Sequence, residues 1–348
     1  MKNKFSRIII LFLVVALTGL LLAGCGGGGS KQQATDKQAA SGGEEQQLTT
    51  VKLTMTTWSG YGPLFLARDK GFFKKHGLDV QLIVIQGLGE RKQALAGKQV
   101  DGIATTLDIV TQIVDAGIPL KQIWALDDSY GGDGILAKPE IKTIKELKGK
   151  NVAYDFGTAS HILLLAILAK NGMTEKDINH IQMSASDAGA TFVAGKVDAA
   201  VTWEPWLSKA VKENKGNLLA TSKETPGLIM DTVALRSDWA DKHPEALQAM
   251  VDALAEAMQY WENNKAEANA IMAKGLGIKQ EEFENNLETL RLFNLAQNKE
   301  MFGTADKPGT LYTSLQQAID FGFNNKIIKS KPDAKAMLDP TFVNKAKI

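Results

Sequence analysis

The six residues Ala96-Gly97-Lys98-Gln99-Val100-Asp101 stand directly before a short apolar run, Gly102 to Thr106. Nearly the same residues return later, as Ala194-Gly195-Lys196-Val197-Asp198 before Ala199 to Trp203. A compact apolar run that follows a Gly-containing turn is typical of a buried strand. The repeated turn and strand therefore predict that one structural unit occurs twice in the chain.

Strand and helix patterns alternate in the same order around both copies. Beyond each copy the spacing is also nearly equal, with 32 positions between Asp101 and Asp133 and 33 between Asp198 and Asp231. The first copy is expected to contain strand Val51 to Thr57, helix Gly62 to Lys70, strand Leu78 to Ile85 and helix Gly89 to Leu95. The second is expected to contain strand Asn151 to Tyr154, helix Ser160 to Asn171, strand His180 to Met183 and helix Ala188 to Val193.

These units predict an α/β protein with two lobes, each a small, mostly parallel sheet with helices on both faces. Lobe I is expected over residues 50–135, lobe II over 136–232, and a return to lobe I with C-terminal helices over 233–348. Ligands of open sheets lie beyond the carboxyl ends of the strands, so two facing lobes predict one cleft. Crossing segments are expected near Asp128 to Ala137 and Met230 to Ser237, and the late helices at Pro244 to Ala273, Gln280 to Leu295 and Leu311 to Asn324.

The N-terminus has the pattern of an export signal. The basic residues Lys2, Lys4 and Arg7 precede an apolar run from Ile8 to Leu22. Small residues follow this run where a membrane anchor would carry a charged flank. We therefore expect residues 1–24 to be a cleaved signal peptide.

The stretch Leu21-Leu22-Ala23-Gly24-Cys25 resembles the bacterial lipobox, whose cysteine becomes the lipidated first residue of the mature protein. The alternative is an accidental cysteine in an uncleaved anchor helix. Residues after Cys25 are mainly Gly, Ser, Gln, Lys and Glu, which is typical of a flexible tether, expected over 25–49. The sequence predicts a lipid-anchored protein on the extracytoplasmic face of a membrane.

Composition excludes several classes of site. Cys25 is the single cysteine among 348 residues, so the rest of the chain offers no thiol for a disulfide, a nucleophile or a metal. The four histidines are not in metal-ligand spacing, and the net charge of +1 becomes −2 once Lys2, Lys4 and Arg7 are removed. With charges of both signs interspersed, we expect no nucleic-acid partner, no metal, no cofactor and no catalytic residues.

The segment from Trp58 to Ala67, with Lys70-Gly71-Phe72-Phe73 and Trp203-Glu204-Pro205-Trp206, resembles the nitrate, sulfonate and taurine group of ABC-transporter solute-binding proteins. The resemblance covers about residues 50–270. It implies the type II periplasmic-binding-protein fold, a small-molecule ligand sealed by hinge closure, and permease and ATPase subunits as partners. A monomer is expected. The ligand is not implied.

In lobe I the expected ligand contacts follow strands. Trp58, Ser59 and Tyr61 lie between the first strand and a helix that begins near Gly62, where free amide groups favour an anion. The alternative places Trp58 in the core and Tyr61 in a surface turn. Thr106 follows a buried strand and either donates to the ligand or caps the next helix.

In lobe II the loop Thr158, Ala159, Ser160 and His161 ends the first strand and opens a helix. Its small and hydroxyl-bearing residues are suited to close contact with a ligand, although Thr158 or Ser160 are equally suited to capping the helix and His161 to a plain position at its start. Trp203 and Glu204 form the matching loop of the repeat. A carboxylate between two indoles is unusual in a solvated turn, which favours a place in the cleft.

Several acidic residues also stand near predicted strand ends, and one of them opposite an anion-binding helix terminus would select a zwitterion. We assign Asp128 to the site on this ground, with a role in the crossing segment as the alternative. For Asp133 and Asp231 a structural role is favoured, because they occupy equivalent positions of the repeat. The full acidic set is Asp108, Asp128, Asp155, Asp187, Glu204 and Asp231.

Three other functions were weighed. A ligand sensor for a signalling receptor would have the same fold and a different partner. The fungal synthases of the thiamine pyrimidine precursor share the fold, but their cysteine-rich motif and active-site histidine have no counterpart here. A purely structural lipoprotein would leave the paired loops without a role. The sequence favours solute binding for an importer.

Overall fold

The computed structural model describes residues 47–347, so the predicted signal peptide, lipidated Cys25 and most of the tether lie outside the described residues. Within these residues, every helix is too short or too polar to cross a membrane. The predicted alternation of strands and helices is present, and three strands have the predicted bounds: Gly102–Thr106, Asn151–Tyr154 and Ala199–Trp203.

The first sheet has six strands in the order β11-β4-β10-β3-β1-β2. Strands β1, β2 and β3 are mutually parallel, whereas β10 runs antiparallel to both β3 and β4. Every side chain of β3 is buried, as its uninterrupted small and apolar sequence predicts. The strands of this sheet are β1 Thr49–Met55, β2 Leu78–Val84, β3 Gly102–Thr106, β4 Leu120–Ser129, β10 Met230–Arg236 and β11 Leu290–Leu292.

The second sheet has five strands in the order β7-β6-β8-β5-β9. Strand β6 is parallel to β7 and β8, while β5 is antiparallel to β8 and β9. Both sheets are therefore mixed instead of mostly parallel, because β5 and β10 each enter from the other lobe and run against their neighbours. The strands are β5 Asp133–Ala137, β6 Asn151–Tyr154, β7 Asn179–Gln182, β8 Ala199–Trp203 and β9 Asn217–Thr221.

The chain crosses between the sheets twice, over residues 130–132 and 222–229. The expected boundaries at 135 and 232 fall inside β5 and β10, and the second crossing precedes Met230 instead of following it. The reason is that seven residues, Met230 to Arg236, are needed to pair with both β3 and β4. The crossings lie side by side, since the Gly131 amide donates to the Ser222 hydroxyl at 2.7 Å.

Helices cover the sheets. The helices that come after β10 begin once the chain has returned to the first sheet. The helix expected over Pro244 to Ala273 is interrupted at Asn264 and its second part ends at Leu276, and the helix expected over Gln280 to Leu295 ends at Leu287, before strand β11. The helices are α1 Gly62–Asp69, α2 Phe72–Lys75, α3 Leu88–Ala96, α4 Leu107–Asp115, α5 Ala159–Lys170, α6 Ala185–Val193, α7 Trp206–Lys212, α8 Ser237–Ala240, α9 Pro244–Asn263, α10 Lys265–Leu276, α11 Gln280–Leu287, α12 Leu295–Phe302, α13 Thr310–Asn324, α14 Ala334–Met337 and α15 Thr341–Lys345.

Each sheet has its own hydrophobic core. One large cluster surrounds the first sheet and includes Trp124 and Phe283, both fully buried. Two smaller clusters lie on opposite faces of the second sheet, around Tyr154 and around Phe192. Separate cores allow each lobe to move as a unit about the crossings, which is the arrangement that a hinged clamp requires. The predicted two-lobed α/β fold is confirmed.

Candidate functional site

A cavity lies between the two sheets. Side chains of both lobes form its wall, together with Ile229 of the second crossing. The lining residues are Thr56, Trp58, Tyr61, Gln86, Arg91, Thr105, Thr106, Ile109, Asp133, Asp155, Thr158, Ala159, Trp203, Ile229 and Asp231. Most of them stand at carboxyl ends of parallel strands, where ligands of open α/β sheets bind.

Asp133 and Asp231 line the same cavity, although their strands run in the direction opposite to that of their neighbours. Asp231 pairs with Thr106 at the end of β3, and Asp133 pairs with Trp203 at the end of β8. Because β10 and β5 are antiparallel to these neighbours, their first residues lie at the edge where the neighbours end. The sequence favoured a structural role for both aspartates, but the structure places both in the lining.

The loop after β1 supplies two aromatic side chains that are fixed by buried carboxyl groups. The Trp58 indole donates to Asp127 at 2.9 Å, and the Tyr61 hydroxyl donates to Asp231 at 2.5 Å. Both rings are almost fully buried and also belong to the core of the first lobe. The core and ligand-contact alternatives for Trp58 are therefore compatible, because the same ring packs inward and lines the cavity.

Arg91 is the cationic side chain of the lining. It projects from α3, is 3% exposed, and donates to the Thr105 hydroxyl at 3.3 Å. Its Nε is buried and has no hydrogen-bond partner among residues 47–347. Burial lowers the pKa of Arg91, while Tyr61, Asp155 and Asp231 raise it, and a guanidinium stays charged throughout the physiological range.

Burial dominates the ionisation of the carboxyl groups in and beneath the cavity. It raises the pKa of Asp133 to about 7, with Asp108 and Glu204 adding repulsion and the Ser129 hydroxyl opposing it. Burial raises the pKa of Asp108 to about 6. For Asp231, burial and the nearby Asp133 and Asp108 raise the pKa, against the hydrogen bond from Tyr61.

Lobe II contributes the loop between β6 and α5. Thr158 and Ala159 line the cavity, and the Thr158 hydroxyl donates to the Asp155 carbonyl at 2.9 Å, which shapes the turn. No side-chain cap is formed by Thr158 at the start of α5. Asp155 lines the cavity as well and accepts from Gln182 at 2.8 Å.

The next two residues of this loop lie behind the lining. Ser160 is fully buried and its hydroxyl has no partner within the described residues. His161 accepts from the Gly157 amide at 3.2 Å, lies 3.3 Å from Glu175, and stacks on Tyr154. Burial lowers the pKa of His161, so the ring is neutral at physiological pH. Contact of Ser160 or His161 with a ligand stays a prediction.

Ser59 and Glu204 line a second hollow, whose wall shares Trp58 and Trp203 with the first cavity. The Ser59 hydroxyl accepts from Asn286 at 2.9 Å. Glu204 accepts from the Ser208 amide at 3.0 Å and from its hydroxyl at 2.7 Å. Trp203 packs against the core of lobe I although it ends a strand of lobe II, so the two lobes meet at this residue.

Asp128 lies apart from both spaces. It pairs with Arg291 across β4 and β11, and its buried Oδ1 accepts no hydrogen bond from the described part of the chain. Burial raises the pKa of Asp128 to about 6 although Arg291 lowers it. This position agrees with the alternative of a role beside the crossing, and a ligand contact for Asp128 stays a prediction.

Sequence reasoning missed several lining residues, of which Arg91 is the most consequential. Arg91 stands in the polar stretch Leu88-Gly89-Glu90-Arg91-Lys92, which resembles an exposed helix face. A signal was present in the position of α3 after β2, since helix starts after parallel strands face the ligand edge. The other missed residues are Thr56, Gln86, Thr105, Ile109 and Ile229. Across residues 47–347, no three His, Cys, Asp or Glu side chains are grouped to hold a metal ion.

Comparison with solved structures shows the same fold. The alkanesulfonate-binding protein SsuA from Xanthomonas axonopodis pv. citri, bound to MOPS, superposes with a TM-score of 0.70 at 18% identity, covering 84% of this chain and 99% of that one. The periplasmic nitrate-binding protein NrtA from Synechocystis PCC 6803 gives a TM-score of 0.68 at 20% identity, over 86% of this chain and 88% of that one. Both comparisons confirm the periplasmic-binding-protein architecture.

Sequence comparison agrees with this. A protein of Bacillus subtilis (strain 168), whose name provisionally assigns it to aliphatic sulfonate binding, is 25% identical over 290 residues, covering 82% of this chain and 84% of that protein. The resemblance to the nitrate and sulfonate group is thereby confirmed. The model of the NMT1-like family matches residues 44–277, which include the second sheet, five of the six strands of the first and the whole lining of the cavity, and the chain belongs to this family.

Proposed function

We propose that this protein is the extracytoplasmic solute-binding component of an ABC importer, which captures a small organic solute by lobe closure and delivers it to a permease. The observation that carries the proposal is the cavity wall itself. Trp58, Tyr61 and Arg91 of one lobe face Thr158 and Trp203 of the other across a single enclosed space. A cleft lined by aromatic rings and a few convergent polar groups is suited to a small molecule.

Closure follows from the way the lobes are connected. Two short crossings link two separate cores, and the Ser129 and Ser222 hydroxyls are 2.9 Å apart between them. Rotation about such paired segments changes few backbone angles while it opens or closes the whole cleft. The wall is thus complete only when both lobes meet.

The comparisons support binding over catalysis. The Bacillus relative and the two solved structures described above are named as binding proteins, and the fold alone does not decide chemistry. Lipidation of Cys25, a monomeric state and ATPase-coupled delivery are part of the proposal, and they rest on the sequence pattern and on the family. A sensor for a signalling receptor is distinguished from an importer by its partner alone.

The proposed function is tested with the purified mature chain carrying Cys25→Ser. A panel of taurine, alkanesulfonates, nitrate, bicarbonate, aminoalkylphosphonates, small aromatic acids and organic amines is read by thermal melting, since a ligand that binds only the folded state raises its stability. Each solute that raises the melting temperature is then studied by small-angle scattering. We expect a smaller radius of gyration with the ligand.

Two outcomes would contradict this function. One is a panel of this breadth without any stabilising solute, and the other is binding without compaction of the chain. Delivery is measured separately in proteoliposomes that contain the candidate permease and ATPase. The ligand-loaded protein should stimulate ATP hydrolysis, and the unloaded protein should not. Stimulation by neither form would favour the sensor.

A further inference from the structure

The charges that line the cavity do not balance. Asp133, Asp155 and Asp231 face it, against the single guanidinium of Arg91. Burial raises the pKa of Asp133 to about 7 and that of Asp231 to about 8, so these carboxyl groups are only partly ionised near neutral pH. A solute that enters this space as a plain anion would meet no second cation, and its charge would make ionisation of the surrounding carboxyl groups costlier still.

Arg91 is already surrounded by groups of opposite charge. Burial lowers the pKa of Arg91, whereas the neutral Tyr61 phenol and the acidic side chains of Asp155, Asp231 and Asp108 raise it. The guanidinium therefore offsets carboxylates of the protein itself. Its charge is therefore largely balanced before a ligand binds. The Nε–H group still lacks an acceptor within residues 47–347.

Within residues 47–347, no cationic side chain is among the groups that act on Asp133. Its carboxyl group is 3% exposed, and the groups that act on it are the Ser129 hydroxyl and the carboxyls of Asp108 and Glu204. A buried carboxyl without a cationic neighbour is costly, because it has lost its hydration without a compensating charge. A ligand with a positive group at this place would remove that cost.

Unpartnered polar atoms in the lining are a second, independent sign of a missing ligand. The Thr106 hydroxyl and the Arg91 Nε are both buried and both lack hydrogen-bond partners within residues 47–347. Buried polar groups are nearly always paired in folded proteins. Thr106 and Arg91 line the same cavity as Asp133, so a bound solute has polar groups of all three residues in its wall.

We propose, on the basis of the solute-binding function, that the cavity selects a solute with a cationic N–H group, of the ammonium, amidinium or guanidinium class, which donates to Asp133. The solute has a net charge of zero or above. Any acceptor atoms that it carries pair with Thr106 and Arg91. Inorganic oxyanions and simple sulfonates, which have no N–H donor, are poor ligands.

The aromatic lining favours an organic cation over a bare inorganic one. Trp58, Tyr61 and Trp203 all contribute to the wall. Aromatic rings attract cations through the negative potential of their faces, and desolvated sites strengthen this attraction. Charge-assisted hydrogen bonds from N–H groups to a carboxylate add direction to it.

Isothermal titration with defined probes tests the proposal on the mature chain. The cationic probes are methylammonium, acetamidinium and guanidinium chloride, the zwitterion is taurine, and the anions are nitrate, bicarbonate and methanesulfonate. We expect binding of at least one probe with a cationic N–H group and tighter binding of it than of any anion. Asp133→Asn keeps the shape of the side chain and removes the charge. It should therefore weaken the binding of the cationic probe by about 10- to 100-fold.

Asp306→Asn is the matched control, since Asp306 is exposed in a loop far along the chain and its replacement should leave affinity unchanged. Circular dichroism verifies that both variants fold. Tighter binding of an anion than of every cationic probe, or equal affinity of the wild type and Asp133→Asn for the cation, would overturn the inference and leave solute capture standing. Failure of the wider panel and of compaction would instead count against the proposed function.

Discussion

The hydroxyl of Tyr61 donates a 2.5 Å hydrogen bond to Asp231, a residue 170 positions later in the chain. Tyr61 follows the first strand of lobe I, and Asp231 begins the strand by which the chain returns from lobe II. The bond therefore joins the wall of the cavity to the end of the second crossing. Both partners are buried, so the bond is shielded from water.

Replacement of Tyr61 by Phe should destabilise the protein by about 1–3 kcal/mol, because Asp231 would be left buried without its donor. The pKa of Asp231, which the tyrosine lowers, should rise further. Urea unfolding at neutral pH measures the loss. Tyr312→Phe is the control, since within residues 47–347 the Tyr312 hydroxyl takes part in no hydrogen bond. Equal losses of stability for the two substitutions would show that the hydrogen bond to Asp231 adds nothing to the free energy of unfolding.

Stability should fall as the pH rises from about 5.5 to about 8, because the unfolded chain then binds fewer protons than the folded one. The pKa of Asp133 is raised to about 7 in the folded state, so its ionisation in this range is costlier there than in the unfolded chain. Asp238, whose pKa is lowered to about 2, is ionised throughout and adds no slope. His161 acts in the opposite direction. Its pKa is lowered in the folded state, so its contribution to the free energy of unfolding increases as the pH rises.

Comparison with Asp133→Asn isolates the contribution of this carboxyl from that of His161. We expect the wild type to lose at least about 1 kcal/mol more than the variant between the two pH values. Urea unfolding of both proteins at each pH provides the four free energies. Parallel curves for the two proteins would contradict the raised pKa of Asp133.

Gly60 cannot be replaced without moving the aromatic wall. A Cβ atom there would lie 2.0 Å from Asp127 Oδ2 and 2.4 Å from the Trp58 indole nitrogen. Gly60→Ala should therefore cost about 1–3 kcal/mol through overpacking and loss of the Trp58 bond. Gly89 is the matched glycine, because a Cβ on this exposed helical residue meets nothing within 4 Å. Gly89→Ala should stabilise the protein by about 0.5–1 kcal/mol. Thermal melting measures both variants, and a shift of the melting temperature in the same direction for both would contradict the role of Gly60 in close packing.

Gln112 is a direct link between the lobes. Its side chain, on α4 of lobe I, donates to the Gly157 carbonyl in the loop of lobe II that carries Thr158. Gln112→Ala should shift the unliganded chain towards an open form, which increases its radius of gyration and weakens ligand affinity up to about tenfold. Gln259→Ala, at an exposed position of α9, is the control. An unchanged radius of gyration and affinity would show that this contact does not bias closure.

Local pattern predicted much of the cavity wall. Strands β3, β6 and β8 have buried, apolar sequences between Gly-containing turns, so their ends were visible in the chain. The rule that ligands bind beyond those ends then led to Trp58, Tyr61, Thr106, Thr158, Ala159 and Trp203, which all line the cavity.

The remaining lining depended on chain direction and on long-range packing. Asp133 and Asp231 were visible as equivalent residues of a repeat, but their facing the cavity required β5 and β10 to run against their neighbours, which no local pattern encodes. Arg91 is charged and sits in a polar helix segment. Its burial is decided by lobe II and by the carboxyls around it.

The sequence by itself determined the two α/β lobes, the order of their elements and the strand-end loops that face each other, because these follow from hydrophobic periodicity and turn residues over short distances. The tertiary structure alone decided the charge of the cavity. That charge depends on which ionisable side chains are brought together and removed from water, and residues such as Arg91, Asp133 and Asp231 come from distant parts of the chain.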